Sequence, residues 1–436
     1  MSTQQTTDVD VASAGDSAGV GRALGDYFRR IKGGDVGSLP AVLGLIVLVV
    51  IFSVLQGNTF FTALNFANLL NQGTAIIVLA MGLVFVLLLG EIDLSAGFAA
   101  GTCAAVLAVT LTNWGWAWPL ALVAALITGL VIGLLIGLLV ARLGIPSFVV
   151  TLAAFLGLQG VMLLIIGDGG TIPIQNDVLL AIMNRNMPVW AGWVLWFVVS
   201  AGYALVSLRA ITNRRKVGLP STSTSVWAAK SASIAVLLGV AVYLLNIQRQ
   251  IVRPGKVPCV KIGPPNEPLG CIPTIQGVPW AVLVVLVLLV VLTFVRGRTS
   301  FGRHVYAVGG NAEAARRAGI SVSGIKIACF MICSFLAAIA GVLLASRDNS
   351  VSPTTGGAQT LLYAVGAAVI GGTSLFGGRG RVMDAIIGGL VVAVIANGLP
   401  LITQQSGIQY VVTGLVLLVA ASVDALSRKR SSGSVR

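Results

Sequence analysis

Uninterrupted apolar runs recur from Leu39 almost to the C-terminus, each close to the roughly 20 residues that a helix needs to cross about 30 Å of hydrocarbon. A soluble fold cannot carry that pattern, because its surface needs far more charge than the 10% of residues that are Asp, Glu, Lys or Arg here. Inside a bilayer every backbone N–H and C=O has to be satisfied without water, which leaves helices and closed barrels. These runs are too long and too continuous for barrel strands. The fold class that follows is all-α: a polytopic integral membrane helix bundle of about 10 to 12 transmembrane helices.

Breakers between the runs place spans at 39–55, 73–90, 96–112, 118–141, 145–166, 189–208, 226–246, 278–296, 325–346, 361–377, 382–400 and 406–426. The run at 361–377 is short and rich in glycine. The stretch 1–38 is polar, without the short apolar core of a secretory signal, and reads as a disordered cytoplasmic tail. A basic cytoplasmic tail follows at 427–436, so 39–426 forms one transmembrane domain.

A net charge of +14 invites a nucleic-acid reading, but a binder gathers its basic residues on one soluble face. Here they stand beside the ends of apolar runs, as Lys and Arg do on the cytoplasmic side of a membrane. With both termini inside, only Arg185, Arg249, Arg253, Lys256, Lys261 and Arg347 of the 28 Lys and Arg fall outside. Trp114, Trp116 and Trp118 then form a belt at the outer interface.

The external loop 247–277 holds four of those six, together with Cys259 and Cys271. An oxidising exterior would allow a disulfide between them, restricting the unfolded loop by roughly 3 kcal/mol; two free thiols in a mobile loop are the alternative. Neither cysteine suggests a metal site, since the sole histidine, His304, lies across the membrane. Gly129, Gly133 and Gly137 make a doubled small-xxx-small ridge, to which either another helix of this chain or a second copy could pack closely.

Catalysis needs acids, bases, nucleophiles or metals in mutual reach, and the inventory is poor. Outside the tail the acids are Glu91, Asp93, Asp168, Asp177, Glu267, Glu313, Asp348, Asp384 and Asp424, none in the middle of a span. The glycine-rich run from Gly371 to Gly380 spaces Gly372 and Gly377 like a phosphate loop, but Gly378 stands where that motif needs Lys, and no strand precedes it. The chain is therefore not expected to hydrolyse ATP, to bind a metal or to hold a cofactor of its own.

Two polar segments remain. Gly90 to Gly97 sets Glu91, Asp93 and Ser95 between two spans, where a carboxylate pair is costly unless it faces water, partner groups or a pore. A solvated turn in which Asp93 or Ser95 caps the next helix is the plainer alternative. The cytoplasmic segment 300–325 contains a short helix from Asn311 to Ala318, ended by Gly319, whose alanine faces and arginines suit docking to a partner better than a solvated connector.

At these residues the chain resembles the permease subunits of monosaccharide-importing ABC transporters, the ribose and xylose type. Four pieces match in order: Gly90 to Gly97; Gly144-Ile145-Pro146-Ser147-Phe148 through Thr151-Leu152; Thr299 to His304 with Gly309, Gly310, Asn311, Ala314, Ala315, Gly319 and Ile320; and Ile370 to Leu375 with Gly377 and Gly378. Within the family the xylose-type permeases are the nearer match, partly through Glu91 in place of the commoner Gly.

The resemblance implies a multi-pass protein of the bacterial plasma membrane that works as a pair of permeases. An external sugar-binding protein delivers a monosaccharide, and a separate ATPase carries the ATP and Mg²⁺. Segment 309–320 would be the coupling helix, with Gly309, Gly310, Asn311, Glu313, Ala314, Ala315, Arg316 and Gly319 meeting the ATPase. Glu91, Asp93, Ser95 and Thr373 are the candidates along the translocation pathway. An ion-coupled secondary sugar carrier is the competing class, but such carriers need ionisable groups within the membrane, where this chain has almost none.

Overall fold

The computed structural model describes residues 39–167, 170–219, 221–250, 257–258, 271–272, 274–416, 418 and 422. The tails 1–38 and 427–436 lie outside the described residues, as does Cys259 and with it the anticipated link to Cys271.

The helices in chain order are α1 (Leu39–Phe60), α2 (Ala63–Leu88), α3 (Ala96–Ala108, prolonged by a π-turn at Val109–Asn113), α4 (Trp118–Ala141), α5 (Ser147–Ile166) and α6 (Asp177–Asn184). Then come α7 (Val189–Lys216), α8 (Thr224–Asn246), α9 (Trp280–Arg298), α10 (Ser300–Gly310) and α11 (Ala312–Arg317). The last are α12 (Val322–Asp348), α13 (Gly357–Ile370), α14 (Val382–Ile402) and α15 (Ser406–Val416). Among the described residues 10 helices are long and apolar enough to cross a membrane, while α13 and α15 are shorter.

Three boundaries differ from expectation for physical reasons. Helix α2 begins ten residues early, at Ala63, capped by Thr62, whose side chain accepts from Asn65 N–H. Its first turns look like a loop because Asn65 and Gln72 are polar, yet Asn65 Nδ2 donates to the Phe60 carbonyl (3.0 Å) and to Asn397 Oδ1 on α14 (2.8 Å). The span expected at 361–377 is a helix only as far as Ile370; Gly372 takes φ +116°, and the apolar residues beyond it belong to a loop. The segment 300–325 contains two helices, broken at Asn311, whose side chain caps α11 by accepting from Ala314 N–H.

Helix α2 is the most deeply buried, followed by α3 and α12, with α4, α13 and α14 packed around them. The exposed faces of α1, α7, α8 and α9 carry Leu, Val, Ile, Phe and Trp, the residues that belong against lipid. The glycine ridge of α4 finds its partner within the chain. A Cβ on Gly129 would lie 2.6 Å from the Ser334 carbonyl, on Gly133 2.6 Å from that of Phe330, and on Gly137 2.8 Å from Ile327 Cα, all on α12. Without Cβ atoms in the way the two backbones meet directly, and close packing supplies the attraction that hydrophobic burial cannot supply between helices in lipid.

The bundle has a basic end, where α4, α7 and α9 finish and α12 begins, and a tryptophan end with Trp114, Trp116 and Trp118. Taking α12 as a ruler, Glu91 is level with Lys326 and Ala100 with Gly341, so the chain after α2 turns back and climbs about 22 Å along α12 at 1.5 Å per residue. Helix α3 therefore starts inside the bundle. Helix α13 also starts inside it, having entered from the tryptophan end. The two starts press together: a Cβ on Gly97 would sit 2.3 Å from the Gly357 carbonyl, and one on Gly101 2.4 Å from that of Thr355.

Substituting Gly133→Leu is expected to destabilise the protein by at least the 1–3 kcal/mol (order of magnitude) typical of overpacking, seen as a lower melting temperature and loss of the monodisperse peak in detergent. Gly202→Leu, with no atom within 4 Å of its Cβ position, should leave both unchanged.

Candidate functional site

The four sequence pieces, far apart in the chain, converge at the basic end. Their meeting point is the C-terminus of α2, whose last carbonyls need partners. The Leu88 carbonyl accepts a hydrogen bond from Gly378 N–H (2.9 Å), and that of Leu87 accepts from Gly90 N–H (2.9 Å). Gly309 of α10 lies against the same Leu88 carbonyl, so close that a Cβ would be 1.8 Å from it. Gly90, at φ +74°, turns the chain beside the Phe376 carbonyl.

From there residues 91–95 run back into the bundle. Glu91 pairs with Lys326 on the first turns of α12, the two side chains being 16% and 24% exposed. Ile92 is held from both sides by α5: its N–H donates to Ser147 Oγ (3.2 Å) and its carbonyl accepts from Thr151 Oγ1 (3.2 Å). Asp93 has no exposed surface, and its Oδ1 accepts from Ser95 N–H (2.9 Å) and Ser95 Oγ (2.6 Å). Ser95 occupies the N-cap position of α3 but makes no capping bond itself, so the carboxylate of Asp93 organises this helix start.

The coupling segment sits beside this turn. Thr299 caps α10 by accepting from Gly302 N–H (3.2 Å), and Gly302 lies flat on the Arg296 carbonyl. Arg296, at the end of α9, donates through Nη1 to Tyr306 Oη (2.7 Å) and to the Gly380 carbonyl (3.4 Å), which Tyr306 also bonds. Gly380 in turn covers Thr373, a fully buried residue whose Oγ1 has no hydrogen-bond partner among the described residues. Arg381 and Asp384 close the loop with a capping box at the start of α14. Thus α10 is tied to the loop between α13 and α14, which the sequence did not reveal: Arg296, Tyr306 and Lys326 look like ordinary lipid anchors at run ends.

On α11 the exposed side chains are Glu313, Ala314, Arg316 and Arg317, with Glu313 paired to Arg316 (3.3 Å) and Arg317 (3.4 Å). Ala315, by contrast, is 4% exposed and faces its own chain, and Gly309 is likewise held within it. Gly310, Asn311 and Gly319, at φ +82°, lie on the exposed side. At the tryptophan end, Arg249 is buried and donates through Nη2 to the Gly277 carbonyl (2.8 Å), and burial pulls its guanidinium below the usual arginine range.

Residues 65–421 match the family described as branched-chain amino acid transport system / permease component. The xylose transport system permease protein XylH of Escherichia coli is 33% identical over 404 residues, covering 93% of this chain and 95% of that protein. Its counterpart in Haemophilus influenzae is 33% identical over 89% of this chain and 96% of that one. The ribose import permease protein RbsC of Bacillus subtilis is 29% identical over 92% and 95%. No solved structure matches.

Removing one charge of the Glu91–Lys326 pair should leave the other poorly solvated. Glu91→Gln is expected to lower stability by about 1–3 kcal/mol, measured as thermal unfolding in detergent, and the exchange Glu91→Lys with Lys326→Glu to recover part of the loss.

Proposed function

The chain belongs to the permease-component family just described, and from that premise we propose that it is the transmembrane permease subunit of an ABC importer that carries a monosaccharide, xylose or a related pentose or hexose. It is a multi-pass protein of the inner membrane. The family description names branched-chain amino acids, whereas the relatives that match nearly end to end are named for xylose and ribose; that agreement over whole chains supports a sugar as cargo.

In this reading the basic end faces the cytoplasm, and ATP and Mg²⁺ are held by a separate ATPase that docks on α10 and α11. The observation that carries the coupling role is the wiring of this segment. Its outer face is exposed, while its inner face is joined to the α2 terminus through Gly309 and to the α13–α14 loop through Tyr306. Force applied at Ala314, Arg316 and Gly310 reaches both turns without passing through a flexible linker. A second permease copy completes the path, and an external binding protein delivers the sugar. Glu91, Asp93, Ser95 and Thr373 serve the pathway by shaping the turns at its inner end, since the last three expose almost no surface of their own.

Co-purification of the tagged chain in mild detergent should bring down an ATPase and a secreted sugar-binding protein; recovery of neither, with gradient-driven uptake by the chain alone, would instead mean a secondary carrier. Ala314→Trp should cut ATP-driven uptake more than tenfold while the protein still inserts, because Ala314 is exposed and only docking is blocked. Asp93→Ala is expected to impair transport more than the amount of inserted protein. A loss of inserted protein alone would reduce Asp93 to a helix cap.

A further inference from the structure

Helix α13 carries an exposed polar pair on an outward surface that is mostly apolar. Its first residue, Gly357, lies beside Gly97, about one turn from the Ala100–Gly341 contact, and Gly341 is seven residues from the end of α12. Gln359 is thus roughly 18 Å below that end, and Tyr363 one helical turn deeper, which places the pair around the middle of a core about 30 Å thick. Gln359 is exposed and Tyr363 half-buried, and Gln359 Nε2 donates to Tyr363 Oη (3.0 Å). Among the described residues neither the Gln359 carbonyl oxygen nor the Tyr363 hydroxyl proton has a further partner.

A carboxamide and a phenol left open to lipid at this depth would be costly, and polar side chains at such positions turn towards a bundle interior or a water-filled cavity. Helices α1, α7, α8 and α9 show mostly Leu, Val, Ile, Phe and Trp outward, with Tyr243 in the last turn of α8 and Thr293 towards the end of α9 among the polar exceptions near their ends. The second constraint is charge. No Asp, Glu, Lys or Arg occurs from Leu39 to Gly90, between Asp93 and Arg142, or between Asp348 and Arg379, so α13 and its neighbours α2 and α3 are uncharged throughout, and its third neighbour α14 is charged only at its basic-end start, where Asp384 pairs with Arg381. The zwitterion of an amino acid would find no counter-charge for its ammonium or carboxylate here. A neutral molecule with several hydroxyls would find one acceptor and one donor side by side on successive turns of the helix.

Resting on the permease reading above, we propose that Gln359 and Tyr363 contact the cargo in transit, and that this contact takes neutral polyhydroxylated molecules and refuses amino acids.

The test uses the complete assembly of permease, ATPase and binding protein in membrane vesicles. Gln359→Leu and Tyr363→Phe should each slow xylose or ribose uptake about 5–10-fold, the effect of one lost hydrogen bond, with assembly and ATPase activity retained; Gln359→Asn should restore part of it. In parallel, Gln359→Cys in a background with Cys259→Ser and Cys271→Ser is exposed to a hydrophilic thiol reagent. Labelling slowed by xylose or ribose but not by leucine supports the assignment. Protection by leucine, absence of labelling in every nucleotide state, a disulfide between two copies at this position, or unchanged uptake by Gln359→Leu overturns it. Failure of the broader reading shows separately, as the absence of ATP-dependent sugar uptake by the unsubstituted assembly, whichever way the labelling falls.

Discussion

The carbonyl of Leu88 is the point on which the basic end is built. It ends the most deeply buried helix, where a backbone acceptor without a partner is expensive, and it is satisfied by Gly378 from a loop nearly 300 residues later in the chain. Gly309 rests on the same atom from the coupling side. Because both approaches are backbone to backbone, no side chain can yield when one segment shifts. A displacement of α10 is passed to the end of α2 and to the α13–α14 loop together.

The same principle governs the interior. Gly82, Gly129, Gly133, Gly137 and the Ala100 carbonyl against Gly341 put α2, α3 and α4 in near-backbone contact with α12. Such a core has little room to deform, so relative motion has to occur between rigid groups of helices. The hairpin of α7 and α8, scarcely buried, stands at the other extreme and touches the core mainly through Ala67, Met187, Val242, Leu245 and Val278.

Much of this was legible in the residues because apolar length is a local signal: it reported helices, and a carboxylate beside an apolar run marked Glu91 and Asp93. The glycine ridge announced a close contact without naming α12, since spacing describes one surface and not what covers it. The early start of α2 was hidden because Asn65 looks like a loop residue until Asn397 is beside it. The shortness of α13 was hidden because Leu375 and Phe376 prolong the apolar composition past the helix, although Phe376 is 87% exposed. Ala315 and Ala314 are chemically the same, and only packing shows that one faces inward and the other out. Arg296, Tyr306 and Lys326 carry no local mark at all, because their partners are remote.

The pairing of Glu91 with Lys326 also sets a clock on biogenesis. Their separation is 235 residues, and at about 5–20 residues per second a ribosome needs roughly 12–50 s to deliver the lysine after the glutamate. Through that interval α2 is already made, while the Glu91 carboxylate and the Leu88 carbonyl still lack the groups that will satisfy them. The amino-terminal half therefore cannot settle helix by helix as it leaves the translocon. It has to wait, sheltered by headgroups, water or insertion machinery, until the carboxy-terminal half arrives.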